Sequence, residues 1–153
     1  MFHTIRSIVP ICRKLHAVHR KLVLATGFFD LLHAEHLNFL KKAKAAGDIL
    51  IVAVESDARA RAVKGEGRPA EPQAVRCQKV ASHADYVIAL GDDFDNQASY
   101  ESLLSAVHPD LYAVSSHTSH LENKRILTEK YGGKLAVVHA FNPAVSTSQI
   151  INR

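Results

Sequence analysis

The sequence predicts an α/β domain built on one doubly wound, five-stranded parallel sheet. Three observations lead there. Short apolar runs alternate with segments of helical spacing along the chain. One run, Ile49-Leu50-Ile51-Val52-Ala53-Val54, is unbroken and rich in β-branched residues, as in a parallel strand covered on both faces. With 153 residues, 47% of them hydrophobic, the chain can bury a core without disulfides or metal. It reads as a single domain over 1–153, with no internal repeat or low-complexity tract.

The elements follow in order. Residues at about 4–20 form a basic helix beside the first strand. Apolar residues 22–25 make that strand, which Thr26-Gly27 ends. Leu37, Leu40, Ala43 and Ala46 recur at helical spacing, and Gly47 closes that helix. After the 49–54 strand come a short helix at 57–63 and a loop from Lys64 to Pro72, rich in Gly and Pro. Helices are expected at 73–83, 99–107, 121–131 and 146–152. Strands are expected at 86–90, 111–114 and 135–138. Strand–helix alternation means right-handed crossovers, and such sheets bind ligands at the carboxyl ends of their strands.

Charge is unevenly spread. Arg6, Arg13, Lys14, Arg20 and Lys21 precede any acid, whereas from Asp30 onward 14 basic residues face 15 acidic ones. The basic excess therefore belongs to the N-terminal segment. An organellar transit peptide is one reading of it. A helix packed into the domain is preferred, because strand-like sequence follows with no linker. No aromatic platform or nucleic-acid motif accompanies the charge, so nucleic-acid binding is not expected. No apolar run is long enough to span a membrane. Cys12 and Cys77 are far apart and form no CxxC pair, which fits a reduced, cytoplasmic protein.

The chemistry concentrates in Thr26-Gly27-Phe28-Phe29-Asp30-Leu31-Leu32-His33-Ala34-Glu35-His36, between the first strand and the next helix. That is where a phosphate sits in such a sheet. Gly27 permits close backbone approach. His33 and His36 share one face of a first helical turn and can donate to phosphate oxygens. The same spacing also suits half a metal site, but no cysteine lies nearby, and no metal ligands are assigned. Phe28 and Phe29 fit a core role as well. Asp30 suits either the ligand or the turn.

These residues resemble the G-x-F-D-x-x-H-x-G-H signature of the cytidylyltransferase-like nucleotidyltransferases, with Gly27, Phe29, Asp30, His33 and His36 matching. Leu40, Ala43, Gly47 and Asp48 are similar to the family's L-x-x-A-x-x-x-G-D, and Ser56-Asp57 to its next strand end. Lys64-Gly65, Arg68-Pro69, Pro72 and Arg76 resemble the K-G-x-x-R-P-x-x-P-x-x-x-R run of heptose-1-phosphate adenylyltransferases, and Ser146-Thr147-Ser148 the closing S-T-T. The resemblance implies a Rossmann-like fold and nucleotidyl transfer. A phosphate-bearing acceptor, a sugar phosphate in the first instance, attacks the α-phosphorus of ATP or CTP, with Mg²⁺ accompanying the nucleotide and pyrophosphate leaving. It also implies roles. His33, His36 and Lys64 are the catalytic residues. Gly27, Phe28, Phe29, Asp30, Arg76, Ser146 and Thr147 bind nucleotide, with Arg76 clamping phosphate oxygens. A homodimer is implied too. Each role has a plainer alternative: a solvated Lys64, an Arg76 paired with Asp57 or Glu71, a Ser146 that merely caps a helix.

Four features depart from the pattern. Glu35 replaces the Gly between the histidines, and a carboxylate there repels a triphosphate unless it points away. Ala25 replaces a polar strand residue. Ser115-Ser116-His117 replaces the family's G-x-D, leaving the acceptor open. Phe141 stands where glycerol phosphate enzymes carry Arg, which favours the adenylyltransferases. The competing reading is a nucleotide-binding or regulatory module of the same fold without catalysis.

Overall fold

The computed structural model describes residues 2–140. Its five strands are β1 (Leu22–Gly27), β2 (Ile49–Val54), β3 (Tyr86–Ala89), β4 (Leu111–Ser115) and β5 (Lys134–His139). All pair in parallel, in the order β3-β2-β1-β4-β5. The six helices are α1 (Ile5–Ala17), α2 (Ala34–Ala45), α3 (Asp57–Lys64), α4 (Gln73–Ala81), α5 (Gln97–Val107) and α6 (Leu121–Lys130). The order reverses between β1 and β4, and that is the switch point where such sheets open a crevice. The helix expected at 146–152 lies outside the described residues.

Side chains alternate across each strand, so two cores form. Leu22, Leu24, Ile49, Ile51 and Ala53 point to one face with Ile8 and Cys12 of α1, Leu103, Leu104 and Val107 of α5, and Leu127 of α6. Val23, Ala25, Leu50, Val52 and Val54 point to the other, with Phe39, Leu40 and Ala43 of α2 and Cys77 and Val80 of α4. β2 is buried along its whole length, as its unbroken apolar run requires. Aspartates tie the strand starts together. The Lys21 amide donates to Asp48 at 2.7 Å, that of Leu22 to Asp110 at 2.8 Å, and that of Leu50 to Asp85 at 2.7 Å.

The basic N-terminal segment is part of this fold. Thr4 caps α1, accepting from the Ser7 amide at 3.0 Å, and Ile8 and Cys12 are buried in the first core. His3 pairs with the edge of β3 through bonds to Val87 and Ala89, each 2.8 Å. Pro10 lies inside α1 without ending it. It is exposed, as is Arg6, whose carbonyl loses its helical donor and faces water instead. Among the described residues, no helix is long and apolar enough to cross a membrane.

Candidate active site

A cavity of about 440 Å³ opens at the carboxyl ends of β1, β2, β4 and β5, over the switch point. The loop from β1 into α2 forms one wall. Its backbone is unusual: Phe29 and Leu31 hold left-handed conformations, φ 53° and 49°, which non-glycine residues adopt only under constraint. The constraint is polar and buried. Asp30, 1% exposed, accepts from the amides of Ala70 at 2.7 Å and Glu71 at 3.0 Å and from Arg68 Nε at 3.1 Å. Glu71 Oε1 accepts from the Leu31 amide at 3.1 Å. Asp30 thus ties the turn to the facing 68–71 segment while also lining the cavity.

Arg76 corrects the expectation of a phosphate clamp. Its side chain is wholly buried beneath the loop and does not line the cavity. Nη1 donates to the carbonyls of Phe28 at 2.7 Å and Glu55 at 3.0 Å, Nε to that of Glu71 at 3.0 Å, and Nη2 to Asp57 at 2.6 Å. These bonds tie three loops together. Four of the five Arg76 N–H donors are spent on these partners, and the side chain has no surface at the cavity from which to reach a phosphate.

His33 caps α2 and His36 stands in its first turn. Their rings stack with centroids 3.7 Å apart, an arrangement two imidazolium ions would resist. Burial holds both below the ordinary imidazole range, and His36 falls to about 3, with repulsion from His33 adding to burial. His36 Nδ1 accepts from the His33 amide at 3.3 Å, so the proton of the neutral ring sits on Nε2. Among the described residues, His33 Nδ1 is buried without a hydrogen-bond partner. Phe29, 5% exposed, packs edge-on against His36 and stacks on Phe39, so it positions the histidine from the core. At Gly27 a Cβ would lie 3.0 Å from the Phe29 ring, which would have to shift by a few tenths of an ångström to admit it. Phe28 is half-buried in the cavity wall, with Lys64 Nζ 5.7 Å from its ring centre. Lys64 ends α3, whose start is capped by Ser56 accepting from the Arg59 amide at 3.1 Å.

Glu35 lines the cavity but is engaged across it. Its carboxylate meets His139 Nε2, and His139 Nδ1 lies 3.0 Å from Lys42 Nζ. An ammonium can only donate, so Nδ1 accepts and Nε2–H donates to Glu35. The register shift at Val114/Ser115 pairs Ser115 with His139 and brings that ring to the mouth. Ser115 and His117 line the cavity too, where the sequence departs from G-x-D. The far wall holds Glu55, Tyr100, Thr118 and Lys124.

The structure therefore gathers Gly27, Phe28, Phe29, Asp30, His33, His36 and Lys64 at one cavity and leaves Arg76 beneath it. Ser146, Thr147 and Phe141 lie outside the described residues. Sequence reasoning missed Glu55, Tyr100, Lys124 and His139 as site residues. Glu55 alone carried a signal, an acid at the end of an otherwise apolar run. Among the described residues, no three His, Cys, Asp or Glu side chains gather as a metal site.

Residues 24–153 match the cytidylyltransferase-like family. The bifunctional protein HldE of Wolinella succinogenes is 42% identical over 107 residues, covering 69% of this chain and 22% of that protein. HldE of Helicobacter pylori strain G27 is 34% identical over 152 residues, covering 96% of this chain and 31% of its own length. The chain thus spans about a fifth to a third of these curated relatives. Among solved structures, a lipopolysaccharide core biosynthesis protein from Thermoplasma volcanium superposes with a TM-score of 0.64 at 26% identity, over 80% of this chain and 98% of that one. A pantoate-beta-alanine ligase from Francisella tularensis shares the fold at 15% identity, with a TM-score of 0.67 over 99% of this chain and 72% of that one.

Proposed function

Because the chain belongs to the cytidylyltransferase-like family, we propose that it is a nucleotidyltransferase passing an adenylyl group from ATP to a sugar phosphate. The observation that carries this is the stacked, neutral His33–His36 pair at a helix start, facing Lys64 over the switch-point cavity. The choice of ATP and of a heptose phosphate rests on the likeness of Lys64-Gly65, Arg68-Pro69, Pro72 and Arg76 to the heptose-1-phosphate adenylyltransferase run.

In this reading an acceptor phosphate oxygen attacks the α-phosphorus in line. One P–O bond forms, the bond to the β-phosphate oxygen breaks, and its electron pair leaves on pyrophosphate. An anionic acceptor phosphate needs no general base. The protein's task is then to position two anions and to stabilise the charge that builds on the α-phosphate. His36 Nε2–H, with the α2 N-terminus behind it, donates to a phosphate oxygen. A neutral donor holds the oxygen without displacing a proton. His33, stacked on His36, lines the same cavity, and Lys64 brings a cation from the end of α3. Magnesium supplies charge neutralisation when bound. Asp30 and Glu35 hold protein partners, so Mg²⁺ would come with the triphosphate rather than on these two carboxylates.

The non-catalytic alternative rested on Glu35 and on Ser115-Ser116-His117, and of these His139 and Lys42 draw the Glu35 carboxylate into a network of their own. Cytoplasmic location and a homodimer belong to the same proposal, the dimer being checked by sedimentation. The decisive assay is pyrophosphate release with ATP or CTP and heptose 1-phosphate, glycerol 3-phosphate or phosphoethanolamine. ATP with the sugar phosphate should react, and His36→Ala should lose about 10²–10³ in kcat. Wild-type turnover by His36→Ala would overturn the mechanism.

A further inference from the structure

The wall of the cavity opposite the histidines has a different chemistry. Glu55, 7% exposed, follows β2, and Lys124, 8% exposed, lies on α6 across the crevice. Both line the cavity. The Glu55 carboxylate has one ion pair among the described residues, to Arg59 Nε at 3.6 Å, a long contact that opposes the effect of burial on the acid. Arg59 Nε itself is buried with no hydrogen-bond partner among them. Lys124 uses one donor on Thr118 Oγ1 at 2.8 Å and rests 5.5 Å from the Tyr100 ring centre. The wall thus offers an acid with open lone pairs and a cation with spare donors, both largely out of water. Burial raises Glu55 and lowers Lys124 from their ordinary ranges, while each favours the other's charge.

Such a wall is unsuited to a triphosphate, because the carboxylate repels it. It suits neighbouring hydroxyls, whose hydrogens Glu55 accepts and whose oxygens Lys124 and Thr118 bind. We propose that Glu55 and Lys124, flanked by Thr118 and Tyr100, form the subsite that holds the hydroxyl groups of a polyhydroxylated acceptor phosphate. Its phosphate then points across the cavity toward His33, His36 and Lys64. This rests on the transfer reading above for the ligand's role, but the subsite can be tested by binding alone. A vicinal diol also occurs on the nucleotide's ribose, and the arms of the test separate the two sources.

The full chain is titrated with heptose 1-phosphate and, separately, with ATP, by ligand-observed NMR. Wild type, Glu55→Gln and Lys124→Gln are compared, with thermal melts to establish folding. Glu55→Gln should weaken heptose 1-phosphate by about 10–100-fold, the value of a hydrogen bond to a charged group, and leave ATP affinity within about twofold. Lys124→Gln should shift in the same direction. If either variant fails to fold, wild type is titrated with a deoxy analogue of the sugar phosphate, which should lose affinity to a similar extent. Equal binding of heptose 1-phosphate by variant and wild type would overturn the subsite. So would a loss confined to ATP, which assigns the wall to the ribose, or no binding of the sugar phosphate by wild type. Sugar-phosphate binding that depends on Glu55, without pyrophosphate release from any acceptor, would sink the transfer reading and leave the subsite standing.

Discussion

His36 shows how much a single side chain owes to its surroundings. Burial and the neighbouring His33 take it from near 6.5 to about 3, so it is neutral throughout the physiological range. Its proton then lies on Nε2, because Nδ1 is occupied by the His33 amide. The shift has a consequence for stability. The unfolded chain takes up a proton on this residue below about pH 6.5, and the folded chain does so only near pH 3. The folded state therefore loses stability as pH falls between those values. His36→Asn, which cannot titrate, should show a flatter dependence than wild type in urea midpoints measured from pH 7 to pH 4. Parallel slopes would mean that His36 takes up its proton alike in the folded and unfolded chain. The histidine pair was legible in the sequence, since both rings stand at the first switch-point turn. Their protonation was not, because it depends on burial by Phe29 and Phe39, which are fixed by packing.

At the scale of elements, the strands and helices followed from the periodicity of the chain, with ends moved by a residue or a few. β1 runs on to Gly27, and α2 begins at Ala34, ahead of its first apolar position. Both extensions belong to the site: a strand reaching the turn, and a helix whose first turn carries His36. The loops between them could not be read this way. Arg76 was expected to clamp phosphate because it matches the last residue of the adenylyltransferase run. Helix α4 instead turns it inward, where it holds the 28, 55 and 71 carbonyls and Asp57. Arg76→Ala should cost about 3–5 kcal/mol of unfolding free energy, as expected when one partner of a buried charged network is removed. Urea denaturation measures it. A loss of activity without a loss of stability would return Arg76 to the ligand.

The whole molecule places the two halves of the sheet on either side of one crevice. β2 and β3 lie on one flank of β1, and β4 and β5 on the other. Glu35 bridges that plan, linking the start of α2 to the end of β5 through His139, 104 positions away in sequence. With Lys42 completing the chain, the tie fastens one wall of the cavity to the other. Glu35→Gly should lower stability by about 1.5–3 kcal/mol, the scale of a charged hydrogen bond lost from a buried site. Pyrophosphate release at saturating substrates should stay within severalfold of wild type. A large rise in turnover would show instead that the carboxylate repels the triphosphate, as the sequence alone suggested.

The sequence by itself determined the sheet and its helices, because side-chain alternation and helical spacing are local and each strand announces its own burial. It also determined the family, since the order of motifs along the chain is a one-dimensional property. Only the tertiary structure decided which polar residues meet. Glu35 finds His139, Arg76 finds three carbonyls, and Glu55 faces Lys124, because parallel crossovers bring residues from distant turns to the same end of the sheet. Whether a charge faces ligand or protein is set by these encounters, and nothing in a residue's near neighbours along the chain records them.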